Sequence, residues 1–254
     1  MNDMHVHTFC SSDSEETFAN YVDRAREIGV NVICFTDHVD YNPNDFGTGY
    51  YNSTNFFTEF NKTKMKVCDI ELLAGIEFDC PHRYQDELKA LASLPYDCII
   101  GGVHYCNLSP DLFFSELVKN GVSVEECFSA YWHEVQKCVE HGGFDVLAHI
   151  DIPKRYLKSL IYDDFHLLKI FNKMISANII LEINTSSLRK GLSDTMPSKA
   201  LLELYRSAGG KYITIGSDAH YKSELASDYE IARKLCADVG LQEVIFRERK
   251  MIIA

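Results

Sequence analysis

The sequence has no CxxC pair, no basic-then-apolar leader pattern, no apolar run of membrane-spanning length and too few basic residues to balance its acids. Each absence excludes something. Nine cysteines are scattered at positions 10, 34, 68, 80, 98, 106, 127, 138 and 236, several of them inside apolar runs. A free thiol there behaves as a small hydrophobe, so core filling in a reducing cytoplasm is expected rather than disulfides. Only Cys10 and Cys106, close to candidate ligands, stand apart. Without a leader or a long apolar run, no export and no membrane partner are expected. The net charge of −12 argues against nucleic acid, which needs a basic face to neutralise phosphates. A small phosphorylated substrate remains compatible, because bound divalent cations reverse the local potential. No long linker, repeat or low-complexity segment divides the 254 residues, so a single domain over 1–254 is expected.

What is present is a regular alternation of buried strand and amphipathic helix. Apolar runs at 30–35, 70–78, 97–105, 144–151, 178–184 and 212–216 read as strands after the one at the N-terminus. Helices are expected near 18–28, 53–67, 82–94, 123–141, 164–177, 197–208 and 226–239. Ser12 with Glu15 and Ser123 with Glu126 suggest capping boxes, and Pro197 suits a first helical turn. The tail, 243–253, has room for one more short strand. Seven parallel strands with polar residues at their C-terminal ends predict an α/β fold, a closed (β/α)7 barrel with one common mouth.

Those polar residues carry the chemistry. His5 and His7 alternate about Val6, so on a strand both imidazoles face one side and can grip one metal ion. An exposed polar terminus is the plain alternative. Against it, later strands each stop on ligand-type residues: Thr36-Asp37-His38, Gly75-Ile76-Glu77-Phe78-Asp79, Gly102-Val103-His104, Ala148-His149-Ile150-Asp151 and Gly216-Ser217-Asp218-Ala219-His220. Six of the ten histidines, His5, His7, His38, His104, His149 and His220, thus converge with Asp13, Glu77 and Asp218. Nine donors exceed what one ion can use, which points to two or three metals sharing a bridging carboxylate. Imidazole and carboxylate without cysteine suit zinc, manganese or iron. His133, His141 and His166 read as helix-surface residues, whereas His82, on the loop after Glu77, can reach substrate.

Two arginines, Arg155 and Arg189, lie just beyond the fifth and sixth strands. A loop arginine is commonly solvated surface, but two beside a metal cluster fit two-pronged phosphate binding. Clustered metals with arginines is the apparatus of phosphate-ester hydrolysis. The loop at 40–52 is longer than a connection requires, and its Tyr41, Phe46, Tyr50 and Tyr51 either stack on a planar ligand or pin the loop down.

These motifs, spread over nearly the whole chain in order, resemble the polymerase-and-histidinol-phosphatase (PHP) superfamily. The resemblance implies a distorted seven-stranded, TIM-like (β/α) barrel with a trinuclear metal site. It implies His5, His7, Glu77 and Asp218 on a first metal, Glu77 bridging to a second completed by His104 and His149, and Asp13, His38 and His220 on a third. Some members have His where this chain has Asp13. The stretches Ala148-His-Ile-Asp-Ile-Pro-Lys-Arg-Tyr and Glu182-Ile-Asn-Thr-Ser-Ser-Leu-Arg-Lys-Gly are similar to the monofunctional histidinol-phosphatase branch, in which Arg155 and Arg189 would hold the substrate phosphate.

The expectation that follows is a metal-dependent phosphomonoesterase of histidine biosynthesis, turning L-histidinol phosphate into L-histidinol and inorganic phosphate. Asp218, His220 and Arg189 are the candidate catalytic residues. Arg155, Arg189, His82 and Tyr41 are the candidate substrate contacts. Asp218 or His220 would assist the departing alkoxide, although a residue committed to a metal is a poor proton donor. The competing readings are another PHP phosphoesterase, acting on protein phosphotyrosine or on nucleic acid, and a barrel that keeps metals only as structural staples.

Overall fold

Period-two alternation sorts the strand side chains between two layers. In β2 (Val32–Val39), Ile33 and Phe35 join a large cluster beneath the helices, while Val32 and Cys34 join a smaller one. Leu73 of β3 (Glu71–Asp79), Cys98 and Ile100 of β4 (Cys98–Gly102), Val146 of β5 (Val146–Leu147) and Ile180 of β6 (Ile180–Asn184) belong to that smaller cluster. It fills the inside of a barrel. The structure is a computed structural model that describes residues 1–106, 108 and 113–254. Asn107 and Pro110, expected in the loop after the fourth strand, lie outside the described residues.

Strands β1 (Asn2–Val6) to β7 (Tyr212–Gly216) pair in chain order, all parallel. Past the end of β7 the chain returns to β1: the Asp218 N–H donates to the His5 carbonyl at 2.8 Å, and the His7 N–H to that of Ala219 at 2.9 Å. These bonds close the barrel at the end where the strands terminate. At the other end β8 (Gln242–Arg247) pairs in parallel with Tyr212 and Ile213 of β7, then turns back antiparallel as β9 (Lys250–Ile253). The barrel is therefore distorted, and the tail holds two strands rather than one. The β1 register also shifts between Asp3 and Val6. Met4 consequently joins the inner cluster while Val6, two residues on, joins the outer one.

The helices cover the outside: α1 (Phe18–Ile28), α2 (Ser53–Lys64), α3 (Gln85–Ala92), α4 (Phe114–Lys119), α5 (Val124–His141), α6 (Pro153–Leu157), α7 (Asp164–Ser176), α8 (Ser186–Arg189), α9 (Lys199–Ser207) and α10 (Tyr229–Val239). Phe18 of α1 meets Phe35 of β2 and Phe56 and Phe60 of α2 edge to face. Truncating such a ring to alanine costs about 3–5 kcal/mol. Among the described residues no helix is long and apolar enough to cross a membrane. None of the nine cysteines is in a disulfide, and all but Cys68 are buried. Burial, with the Asp37 charge, pushes the Cys10 thiol up to about 12, which leaves it protonated.

Local expectations fail where side chains have stronger partners elsewhere. Ser123 caps α5 as expected, its hydroxyl accepting from the Glu126 N–H. Ser12 caps no helix: the N-cap of α1 is Thr17, five residues later, accepting from the Asn20 N–H. The third helix begins at Gln85 because His82 and Arg83 turn to Glu134 of α5. Pro197 precedes the N-cap Ser198 rather than entering the first turn of α9. The fifth strand shrinks to two residues because the chain turns sharply at His149 (φ 24°).

Candidate metal centre

The same alternation that buries Cys34 and Leu73 brings His38 and Glu77 inward at the strand ends. His104 and His149 follow β4 and β5, Asp218 and His220 follow β7, and Asp13 comes from the loop after β1. His149 and Asp218 (φ 55°) carry positive φ, which is uncommon for residues other than glycine and clusters at functional sites. Gly216 is required for a different reason: a Cβ there would collide with the Glu182 carboxylate and with His5.

Glu77 is the hub. Its Oε2 lies 3.1 Å from His5 Nε2, 3.1 Å from His38 Nδ1 and 3.6 Å from His7 Nε2. Its Oε1 lies 2.9 Å from His149 Nε2 and 3.6 Å from His104 Nε2. One carboxylate thus divides the imidazoles into two sets. Asp218 Oδ1 sits 3.3 Å from His7 Nε2, 4.0 Å from His5 Nε2 and 3.6 Å from His220 Nδ1. Asp13 Oδ2 lies 3.0 Å from His220 Nε2 and 3.6 Å from His38 Nε2. All nine predicted ligands therefore meet in one place. Potential donor atoms group as His5–His7–Glu77, as Glu77–His104–His149 and as His7–His38–His220, each within 4.8 Å.

A supporting layer was not singled out from sequence. Glu182 accepts from His5 Nδ1 at 2.6 Å and, through its other oxygen, from the His149 N–H at 2.9 Å. Asp79 lies 3.0 Å from His104 Nδ1. Asp37 accepts from the Thr8 N–H, the Thr8 hydroxyl and the Ser11 hydroxyl, fixing the loop after His7. Ser186 donates to Asp218 Oδ2 at 3.0 Å. Glu182 and Asp79 carry a legible signal: each is an acid two residues from another inward polar position, in Glu182-Ile-Asn184 and Glu77-Phe-Asp79. Carboxylates behind ligating imidazoles fix the ring orientation and raise ligand basicity.

The electrostatics of the cluster suit cations. Burial alone would strip the proton from His5, but the Glu182 and Glu77 carboxylates hold its pKa well above the usual range. Burial opposes ionisation of Glu77 too, yet His5 and His38 keep it well below the ordinary carboxylate range. His7 goes the other way: burial, then His220 and His38, lower it to about 3, so it is neutral with a free lone pair. Its Nε2 is buried and makes no hydrogen bond, although two carboxylates lie close by. An orphaned buried acceptor between two carboxylates is what a bound cation would satisfy. The donors fit zinc, manganese or iron.

The cluster forms the floor of a cavity of about 470 Å³ whose wall includes Asp40, Asp45, Phe46, Tyr105, Phe113, Arg155 and Tyr156. Arg155 lies over the Tyr156 ring at 5.4 Å and shares a smaller recess with Arg189, Asp218 and His220. Arg189 Nη2 donates to the Ser217 carbonyl at 2.8 Å and the Asp218 carbonyl at 3.2 Å, while its Nη1 is buried without a hydrogen-bond partner. Two expected substrate contacts are not brought there. His82 Nε2 bonds Glu134 at 2.9 Å, because the buried Glu134 carboxylate draws the hydrogen-bond donors of the loop after β3. Tyr41 packs on Phe78 and Tyr84, and Tyr51 bonds Tyr96, so these aromatics pin the loop. Of the four loop aromatics only Phe46 reaches the cavity wall.

Comparison with known proteins identifies the family. The family model described as PHP domain matches residues 3–186. A Clostridium acetobutylicum protein named "Probable histidinol-phosphatase" is 27% identical over 259 residues, with 98% of each chain covered. A Lactococcus lactis protein named "Histidinol-phosphatase" is 28% identical over 256 residues, covering 95% of this chain and 92% of that one. The crystal structure of histidinol phosphate phosphatase from Lactococcus lactis, complexed with zinc, L-histidinol and phosphate, superposes with a TM-score of 0.82 at 24% identity, covering 99% of this chain and 98% of that chain.

Proposed function

This chain belongs to the PHP domain family, and on that premise we propose that it is a histidinol-phosphatase, a metal-dependent phosphomonoesterase that hydrolyses L-histidinol phosphate to L-histidinol and phosphate. The observation that carries the proposal is Glu77. A single buried carboxylate is split between two sets of imidazoles, of which His38, His104 and His149 line a cavity with Arg155 on its wall, while Arg189 lines the adjoining recess that Arg155 shares. Full-length similarity to proteins named as histidinol-phosphatases supports the choice of substrate.

The residues that would hold two or three divalent cations (zinc, manganese or iron) are His5, His7, Glu77 and Asp218; then Glu77, His104 and His149; then Asp13, His38 and His220. Bound there, such cations supply Lewis-acid charge neutralisation and activation of water. Arg155 and Arg189 bind the phosphate, Arg189 through Nη1, since its Nη2 is taken by the Ser217 and Asp218 carbonyls and its Nε lies 3.4 Å from the Glu224 carboxylate. Their fixed charge acts where the equatorial oxygens stay anionic through the transition state. Ser186 and Arg189 together hold the Asp218 segment in its positive-φ conformation. His220, 3.0 Å from Asp13, and Asp218 are residues that would hold cations and are therefore poor proton donors, so we assign neither to protonating the departing alkoxide. All of this rests on one barrel domain, and a reducing cytoplasm suits its free cysteines.

Steady-state phosphate release tests the reading, with histidinol phosphate set against phosphotyrosine peptide and single-stranded DNA. Histidinol phosphate should give the largest kcat/KM by at least about tenfold, a difference of 1.4 kcal/mol in transition-state binding. A larger value for either competitor would overturn the substrate assignment. The net charge of −12 already disfavours the nucleic acid.

A further inference from the structure

We propose that Asp40, backed by Asp45, reads the ammonium group of the substrate, so that the cavity selects phosphate monoesters of amino alcohols over esters without the amine. This rests on the phosphatase reading and deepens it. Asp40 continues the alternation of β2 two residues past His38, so both side chains face the barrel mouth. The residue is 8% exposed and lies on the cavity wall. Among the described residues its carboxylate accepts no hydrogen bond and pairs with no lysine or arginine. The other buried acids of the site differ in this respect. Asp37 has the Thr8 and Ser11 donors, Asp79 faces His104, Glu182 holds His5 and His149, and Asp218 accepts from Ser186. The Asp40 oxygens open onto the cavity, and that is the side from which a donor can come.

The neighbourhood favours a cation on that side. Oxygens of Asp40 and Asp79 and a ring nitrogen of His104 lie within 4.8 Å of one another. Asp45 adds a second carboxylate to the wall, held by the Tyr105 hydroxyl at 2.7 Å and the Gly47 N–H at 2.7 Å. Gly47 leaves room for Asp40, since a Cβ there would stand 2.8 Å from Asp40 Oδ2. Arg155 lines both this cavity and the recess that holds Arg189, Asp218 and His220. The cavity wall thus carries both signs, the cations of Arg155 and Lys119 and the carboxylates of Asp40 and Asp45. An amino-alcohol phosphate carries the same polarity, its ammonium on the carbon next to the one bearing the ester oxygen. Because Asp79 already takes the His104 Nδ1 and the His104 N–H, an ammonium with several hydrogens suits the free Asp40 oxygens.

The test uses metal-loaded wild type, Asp40→Asn and Asp45→Asn, with kcat/KM measured for L-histidinol phosphate and for its deamino counterpart, imidazolylpropyl phosphate. Metal content is measured on the same preparations. Wild type should prefer the aminated ester. In Asp40→Asn that preference should fall roughly 10- to 100-fold, the range for one charge-assisted hydrogen bond, with metal content kept. Asp45→Asn, at a partly exposed position, should lower it several-fold and serves as the readout if Asp40→Asn does not fold. An unchanged preference in the folded variants overturns the inference, as does equal loss on both esters accompanied by loss of metal, which would place Asp40 in the metal centre. Equal rates on both esters by wild type would defeat the inference while sparing the phosphatase reading. Hydrolysis of neither ester would defeat both.

Discussion

The substitution Glu182→Gln keeps the shape of a side chain that is 1% exposed and removes one charge from behind the metal centre. The two carboxylate oxygens serve different halves of the cluster. One accepts from His5 Nδ1 at 2.6 Å; the other accepts from the His149 N–H at 2.9 Å and from Asn184 Nδ2 at 3.2 Å. A glutamine has one acceptor oxygen, so its NH2 must face a donor on one of these sides. Losing a charge-assisted bond costs about 1.5–3 kcal/mol. Acting through ligand orientation, such a loss lowers metal affinity about 10- to 100-fold, or roughly 1.4–2.7 kcal/mol. Competition against a chromophoric chelator would measure this, with thermal unfolding in chelator as a control for the fold. A variant that binds zinc within about twofold of wild type would refute a positioning role for Glu182, since that difference is under 0.5 kcal/mol.

Three further substitutions probe other parts of the site and the fold. Arg189→Ala should cut kcat/KM for histidinol phosphate by about 30- to 150-fold, the equivalent of 2–3 kcal/mol, with metal content kept; an unchanged kcat/KM would remove the arginine from the site. Gly216→Ala should destabilise the fold by about 1–3 kcal/mol through overpacking against Glu182 and His5, read as a drop in urea midpoint, and a neutral result would contradict the close approach. Burial would raise the Glu134 carboxyl, but hydrogen bonds from His82, Lys137 and Arg83 outweigh it and lower the pKa from the ordinary 4.5 to about 2. A depressed carboxylate stabilises the fold fully above its unfolded pKa and loses that stabilisation as pH falls through the folded one. Glu134→Gln should therefore lower stability by at most about 3 kcal/mol at pH 7, and the gap should shrink between pH 4.5 and 2. A gap that does not change with pH would show that packing, not charge, is what Glu134 contributes.

Much of the architecture was legible because two periods dominate the chain. Alternation put His38 above Cys34 and Glu77 above Leu73, and each ligand-type residue ended an apolar run, so the mouth of the barrel could be read directly. Less legible were features set by partners distant in sequence. Ser12 looked like a helix cap, but residues 7–16 form a loop that folds onto Asp37 and leaves the cap to Thr17. His82 looked like a substrate contact because of its place after Glu77, and Glu134, fifty-two residues later, pulls it aside. Tyr41 was placed by packing on Phe78 and Tyr84, which no local pattern announces. Glu182 and Asp40 lay in plain view as acids near strand ends. Their roles depend on which donor each does or does not meet, and only the assembled barrel reveals that.

The most direct test of the whole reading is metal stoichiometry by mass spectrometry on purified wild type and Glu77→Gln, each stripped and then reloaded with zinc or manganese. Wild type should take up between two and three equivalents. The variant, lacking the charge shared by both sets of imidazoles, should lose at least one of them. Fewer than one equivalent in wild type, or equal uptake by both proteins, would contradict a multinuclear centre built around Glu77.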